Sequence, residues 1–296
     1  MELVVAVVVV ALAAAMVTAV VTALPGPQDP VDTATRERRA ARWVASHPRL
    51  DRLLRRDLSP REAGLALLAV AFALATLVSV ALGLLLRAAD RNGTLARWDR
   101  SLSEWGVDHA DAWAVDVLKV LTLLGSTVVV VGVAVAVGAL EWARTRDRAV
   151  AVFLFVVAAG QSVVVHVIKL AVDRPRPDVA QLVPVFGPAF PSGHSAAAAA
   201  VWAAVALVLT RRSGRPARVL AAAAAAGVAI LVGASRALLG VHWATDVIGG
   251  LALGWAWFTL VAFAFGGRRQ RLGAPAERLR GAAPADGGVR PPRPRG

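Results

Sequence analysis

Seven stretches of this chain, each between 17 and 24 residues long, are nearly free of charge and are separated by polar breaks. They are Leu3–Leu24, Ala63–Leu86, Val117–Leu140, Ala149–Leu170, His194–Thr210, Ala217–Ala234 and Trp243–Phe265. A helix needs about 20 apolar residues to cross the ~30 Å hydrocarbon core of a bilayer. In that core every backbone polar group must be satisfied within the segment, which leaves the helix as the simplest solution. With 57% of 296 residues hydrophobic and 18% charged, too much apolar surface exists for a soluble domain to hide. The expected fold class is all-α, a polytopic membrane bundle of six core transmembrane helices plus an extra N-terminal one.

The polar breaks divide the chain into four parts. Residues 1–27 hold the extra helix, closed by Pro25-Gly26-Pro27; its only early charge is Glu2, so it reads as a retained span rather than a cleaved signal. Residues 28–62 form a basic linker with nine arginines between Arg36 and Arg61. Trp43, Leu50, Leu53, Leu54 and Leu58 in it suit short amphipathic helices on the inner membrane surface, and a solvated linker fits equally well. Residues 63–267 make up the six-helix domain, entered through Ser59-Pro60-Arg61-Glu62, a capping box with proline at the first helical position. Within it, Trp98, Leu102 and Trp105 share one face of an interfacial helix between Arg87 and Asp116. Residues 268–296, rich in Arg, Pro, Gly and Ala, read as a disordered basic tail.

Charge sets the orientation. Residues 28–62, 141–148, 211–218 and 268–296 hold 24 of the 33 Lys and Arg residues, and with seven spans they all fall on one side. The positive-inside rule makes that side the cytoplasm, with the C-terminus. It also accounts for the net charge of +13 without nucleic acid, for which no binding-fold pattern is present. Cysteine is absent, which removes disulfides and thiolate metal sites.

Three polar blocks then fall together on the extracytoplasmic face. They are Lys169-Leu-Ala-Val-Asp-Arg-Pro-Arg176-Pro177, Pro191-Ser192-Gly193-His194, and Ser235-Arg236 followed by His242 and Asp246. Lys169, Arg174, Arg176 and Arg236 have few carboxylates nearby to pair with, and guanidinium forks match phosphate oxygens. Ser192-Gly193 opens an apolar run, so a hydroxyl and backbone amides lie at a helix N-terminus, an anion site that glycine lets a ligand approach. If the segment after His242 is helical, His242 and Asp246 lie four apart on one face. The carboxylate then fixes the imidazole tautomer and leaves the other nitrogen to attack or to shuttle a proton. His194 supplies an acid. The set fits phosphoryl transfer.

Each block alone has a plainer meaning: Lys169 as a snorkelling helix end, Arg-Pro-Arg-Pro as a stiff loop, Ser-Gly-His as a cap. Together, the pattern Lys-x6-Arg-Pro, Pro-Ser-Gly-His and Ser-Arg-x5-His-x3-Asp resembles the three-part signature of the type 2 phosphatidic acid phosphatase superfamily, in which the spacing from Lys169 selects Arg176 over Arg174. That superfamily also includes vanadium haloperoxidases and bacterial undecaprenyl-diphosphate phosphatases. The resemblance implies a membrane enzyme that hydrolyses a lipid phosphate monoester or diphosphate through a phosphohistidine. His242 would be the nucleophile, Asp246 its orienting carboxylate and His194 the acid that later activates water. Lys169, Arg176, Ser192, Gly193 and Arg236 would bind the phosphoryl oxygens. No cofactor or metal is expected, since Asp246 is the only anchored carboxylate in the motifs, and the partners are the lipid substrate and membrane lipids. Of the two substrate types, an isoprenoid diphosphate is the slightly favoured expectation over a phosphatidic acid-type lipid. Two other readings remain: a haloperoxidase-like enzyme, disfavoured by the spanning helices, and a non-catalytic lipid-phosphate binding or transport protein. His166 is read as a packed or pore-facing helper, and Asp116 with Lys119 as a helix-end ion pair.

Overall fold

The computed structural model describes Ser46 and residues 59–89 and 93–266. The span expected at Leu3–Leu24, the amphipathic helices of the linker and the basic tail lie outside the described residues. Among the described residues the chain is all helical: α1 Pro60–Ala89, α2 Thr94–Asp108, α3 Ala112–Leu123, α4 Thr127–Thr145, α5 Ala149–Val172, α6 Gly193–Thr210, α7 Arg215–Leu238 and α8 Ala244–Ala264. Six of them, α1 and α4–α8, are long and apolar enough to cross a membrane.

The start of α1 follows from its sequence. Ser59 N donates to Glu62 Oε2 at 2.6 Å and Glu62 N donates to Ser59 Oγ at 3.2 Å, a reciprocal box that satisfies two otherwise orphaned amides. At the other end, Arg87 donates to Val172 O at 2.6 Å and ties α1 to the end of α5. The interfacial helix is α2, which buries Asp99, Ser103 and Gly106 and leaves Leu95, Trp98 and Trp105 exposed.

One expected span is corrected. Val117–Leu140 is two helices, α3 and α4, broken at Leu124–Ser126. The amides of Leu124, Gly125 and Ser126 fold back on Leu121, Thr122 and Leu123, and Ser126 caps α4 by accepting from Val129 N. The spanning helix is therefore Thr127–Thr145, and α3 belongs to the polar end of the bundle.

The centre of the bundle is α6, which packs most extensively on α8 and α7. Its alanines allow the close approach that helices in lipid depend on. A Cβ at Gly250 of α8 would come 2.5 Å from Ser192 O, so α8 and the start of α6 meet main chain to main chain. At the far end, Arg211 bonds Glu141 at 2.5 Å, with both side chains largely buried. Asp116 and Lys119 form the expected ion pair, at 3.8 Å and exposed. His166 is exposed on α5, with a bond to Ser162 O at 3.0 Å, so it is not a packed residue.

Candidate active site

Four helices bring their polar blocks to one end of the bundle. Lys169 lies in the last turn of α5, Ser192 and Gly193 begin α6, Arg236 lies in the last turn of α7, and Asp246 lies in the first turn of α8. The turn between α7 and α8 depends on Gly240, at φ +69, where a Cβ would also meet Val179, Val107 and Ala180 O within 3.1 Å. The cis peptide Phe190–Pro191 leads into α6, and buried Phe190 is wedged against Gly83 and Gly249 beneath it.

His242 departs from the sequence expectation. Helix α8 starts at Ala244, so His242 belongs to the preceding turn and not to one helical face with Asp246. The turn still brings them together, with His242 Nδ1 3.7 Å from Asp246 Oδ2, beyond hydrogen-bond length. The same Oδ2 accepts from Trp243 N at 3.0 Å. His242 Nδ1 is buried without a hydrogen-bond partner, while Nε2 faces Arg176 Nη1 at 3.4 Å.

The cations are held by neutral groups. Arg176 donates to the carbonyls of Gly187 at 2.8 Å, Val241 at 2.5 Å and Phe186 at 3.0 Å. Lys169 donates to Pro188 O, and Arg236 reaches Thr122 Oγ1 at 3.3 Å while its buried Nε has no partner. Carbonyls and hydroxyls orient a cation without cancelling its charge. His194 follows Gly193 in the first turn of α6, at the same end of the bundle. The Ser192 hydroxyl accepts from Ser195 Oγ at 2.8 Å. A Cβ on Gly193 would meet only Val165, at 3.7 Å, so the space at this helix start is clear of protein. Ser235 spends its hydroxyl on Val232 O of its own helix and takes no part.

Sequence reasoning passed over Arg174 and missed Asp99. Arg174 is 1% exposed and bridges Asp246 Oδ1 at 2.6 Å and Asp99 Oδ2 at 3.1 Å. Asp99, equally buried on α2, also accepts from Thr245 N at 2.9 Å and Thr245 Oγ1 at 2.5 Å. The Arg-Pro-Arg-Pro repeat is thus a division of labour, one guanidinium for the carboxylates and one left with its charge. A lone Asp in a mixed-charge interfacial helix carries no sequence signal that could have marked it.

The electrostatic balance follows. Asp99, Arg174 and Asp246 together carry one negative charge, and Lys169, Arg176 and Arg236 carry three positive ones. The net +2 surrounds an imidazole that burial, then the charges of Arg176, Lys169 and Arg236, hold well below its ordinary 6.5, with the Ala189 backbone pulling the other way. A neutral imidazole can act as a nucleophile, and the surplus charge calls for an anion.

Comparisons with known proteins agree with this arrangement. The PAP2 superfamily model matches residues 149–270. The chain is 32% identical to phosphatidylglycerophosphatase B of Bacillus subtilis over 182 residues, covering 60% of this chain and 88% of that protein. It is 33% identical to a lipid A 1-phosphatase of Rhizobium johnstonii, over 41% of this chain and 52% of that one. The crystal structure of a transmembrane PAP2 type phosphatidylglycerolphosphate phosphatase from Bacillus subtilis superposes with a TM-score of 0.58 at 30% identity, covering 63% of this chain and 93% of that one. This multi-pass membrane protein belongs to the PAP2 superfamily and is one of its lipid phosphatases.

Proposed function

We propose that the protein hydrolyses the phosphate monoester of a membrane glycerolipid through a phosphohistidine at His242. The observation that carries this reading is the ring of Lys169, Arg176 and Arg236, held by neutral groups around a buried, neutral imidazole. With the Asp99–Arg174–Asp246 cluster counted in, the net +2 of the site matches a phosphate monoester dianion, which carries about −1.5 to −2 at neutral pH. His242 Nε2, on the side of the cations, attacks phosphorus. Nδ1 keeps its proton toward Asp246 Oδ2, and the 3.7 Å gap closes as the imidazolium forms, since apo catalytic hydrogen bonds are often long. The three cations, Ser192 and the Gly193 amide stabilise the charge that develops on the transferring phosphoryl group. His194 protonates the leaving alkoxide and then activates the water that cleaves the phosphohistidine.

The relatives shift the substrate preference away from isoprenoid diphosphates. They are named for phosphatidylglycerophosphate and for lipid A, and the first match spans most of its relative's length. The site end faces the extracytoplasmic side in this reading, because the arginine-bearing turns 144–148 and 211–218 lie at the opposite end of the helices. The test is hydrolysis by purified protein of a panel holding phosphatidylglycerophosphate, phosphatidic acid and undecaprenyl diphosphate at equal surface density. The highest kcat/KM is expected on a glycerolipid monoester. A large preference for the diphosphate overturns the substrate assignment, and release of phosphate from none of them overturns the function.

A further inference from the structure

The Asp99–Arg174–Thr245–Asp246 ring makes contacts that bulk packing does not require. Arg174 Nη1 donates to Asp246 Oδ1 at 2.6 Å and to Thr245 Oγ1 at 2.8 Å, and Nη2 donates to Asp99 Oδ2 at 3.1 Å. The Thr245 hydroxyl donates in turn to Asp99 Oδ2, and the Thr245 amide donates to Asp99 Oδ1. Every member beyond Thr245 is almost wholly shielded. Buried charges of this kind are costly unless each is paired, and here the pairing runs from helix α2, outside the three signature blocks, to the carboxylate beside His242. Oδ1 of Asp246 is occupied by Arg174 and Oδ2 by the Trp243 amide, so the carboxyl plane, and with it the direction of Oδ2 toward His242, shifts when Arg174 moves. Arg174 in turn sits where Asp99 draws it.

We infer that Asp99 is a positioning residue for the phosphatase reaction, aiming Asp246 at His242 through Arg174 and so coupling the interfacial helix α2 to the nucleophile. This rests on the reading of His242 as nucleophile and Asp246 as its orienting group. The bonds of Asp99 go to Arg174 and Thr245, outside the proposed phosphate cradle. Its loss therefore acts on the chemical step and leaves ground-state binding of the phosphate alone, which separates it from the cradle cations.

The experiment uses the full-length enzyme in mixed micelles with phosphatidylglycerophosphate, comparing wild type, Asp99→Asn, Arg174→Lys, their double variant and Asp246→Asn. Asp99→Asn keeps the shape but loses the charge that draws Arg174, and its single carbonyl cannot serve both the Thr245 amide on one side and the Thr245 hydroxyl with Arg174 on the other. Arg174→Lys keeps the charge but cannot span two carboxylates, and it serves alone if Asp99→Asn does not accumulate in the membrane. Misplacing a catalytic group by about 1 Å can cost 10²-fold, so each single variant is expected to lose about 10- to 100-fold in kcat. KM and product inhibition by inorganic phosphate should stay within about threefold, the pattern of an interaction felt mainly in the transition state. The double variant should lose no more than the worse single one. Wild-type kcat in Asp99→Asn or in Arg174→Lys, a parallel rise in KM and phosphate inhibition constant, or multiplying losses in the double variant would each overturn the inference. Full activity in Asp246→Asn would instead overturn the orientation reading beneath it.

Discussion

Substituting Gly250 by alanine tests whether the spacing of α6 and α8 is what assembles the site. The added Cβ would stand 2.5 Å from Ser192 O and 3.1 Å from Ser195 Cβ, and real Cβ atoms essentially never come within 3.0 Å of such a neighbour. Helix α8 must therefore retreat from the start of α6 by at least 0.5 Å, the difference between those two figures. The Ser192 amide donates to Asp246 O at 3.0 Å across the same seam, so the retreat stretches that bond toward its limit. It also moves Asp246, already 3.7 Å from His242 Nδ1, relative to the Ser192–Gly193 helix start. Overpacking of this kind costs about 1–3 kcal/mol of stability, and a shift of about half an ångström to one ångström at the reacting groups costs up to about 10²-fold in rate. The assay is kcat in detergent beside a thermal scan, with Gly132→Ala as the control. Nothing lies within 4 Å of a Cβ at Gly132, so that variant should keep full activity and gain about 0.5–1 kcal/mol as a helix-interior glycine replacement. Gly250→Ala is expected to fall about 10- to 100-fold in kcat. Wild-type kcat in that variant would refute the argument that the backbone contact sets the catalytic geometry.

Four further outcomes are expected. In a rapid-quench assay with a labelled aryl phosphate, His242→Ala gives no phosphoenzyme burst, whereas His194→Ala gives a burst and then stalls, since an acidic leaving group needs little of the roughly 10²–10⁴-fold help of a general acid; a burst in His242→Ala reverses the roles. Because the His242 imidazole is held well below 6.5, kcat/KM should stay level as pH falls through 6.5 and drop only below it. By the same linkage the unfolded chain takes up that proton first, so this group's contribution to stability declines as pH falls below 6.5; an acid limb at or above 6.5 contradicts the neutral, buried nucleophile. Activity should survive excess chelator and be inhibited by vanadate, because both buried carboxylates at this end, Asp99 and Asp246, are spent on Arg174; loss on chelation with recovery in Mg²⁺ counts against the mechanism. A reporter inserted near Gln181 should be accessible from outside the cell and one after Gly267 from the cytoplasm, and the reverse result overturns the orientation.

The spans were legible because about twenty uncharged residues in a row have one stable arrangement in lipid, and their caps, Ser59 with Glu62 above all, were legible because they are local. The break at Leu124–Ser126 was also written locally, as Gly-Ser ahead of an apolar run, but it was hidden inside a longer stretch whose one charge, Lys119, lies several residues before it. The site residues Lys169, Arg176, Ser192, Gly193, His194, Arg236, His242 and Asp246 all come to the same end of the bundle, because their blocks sit at alternate helix ends. How His242 meets Asp246 was not legible. A helical four-residue spacing and a turn leading into a helix look alike in sequence, and here Gly240 and the Trp243 amide decide for the turn. Asp99 was out of reach for a different reason: its partners Arg174 and Thr245 lie 75 and 146 positions away, and only the packing of α2 on α8 brings them together.

The proposed reactive groups sit at the end of α5 and the loop after it, at the start of α6, at the end of α7, and in the turn into α8 with its first turn, so they gather at one mouth of the bundle. The other mouth holds the closed Glu141–Arg211 pair instead. If the groups at this mouth are the reacting ones, as proposed, the enzyme draws on one leaflet only. Lipid whose headgroup faces the other side must cross the bilayer before it can react, and in a sealed vesicle hydrolysis halts once the facing leaflet is exhausted unless something flips the remainder. How fast the whole lipid pool drains is then set by transbilayer movement as much as by the chemical step.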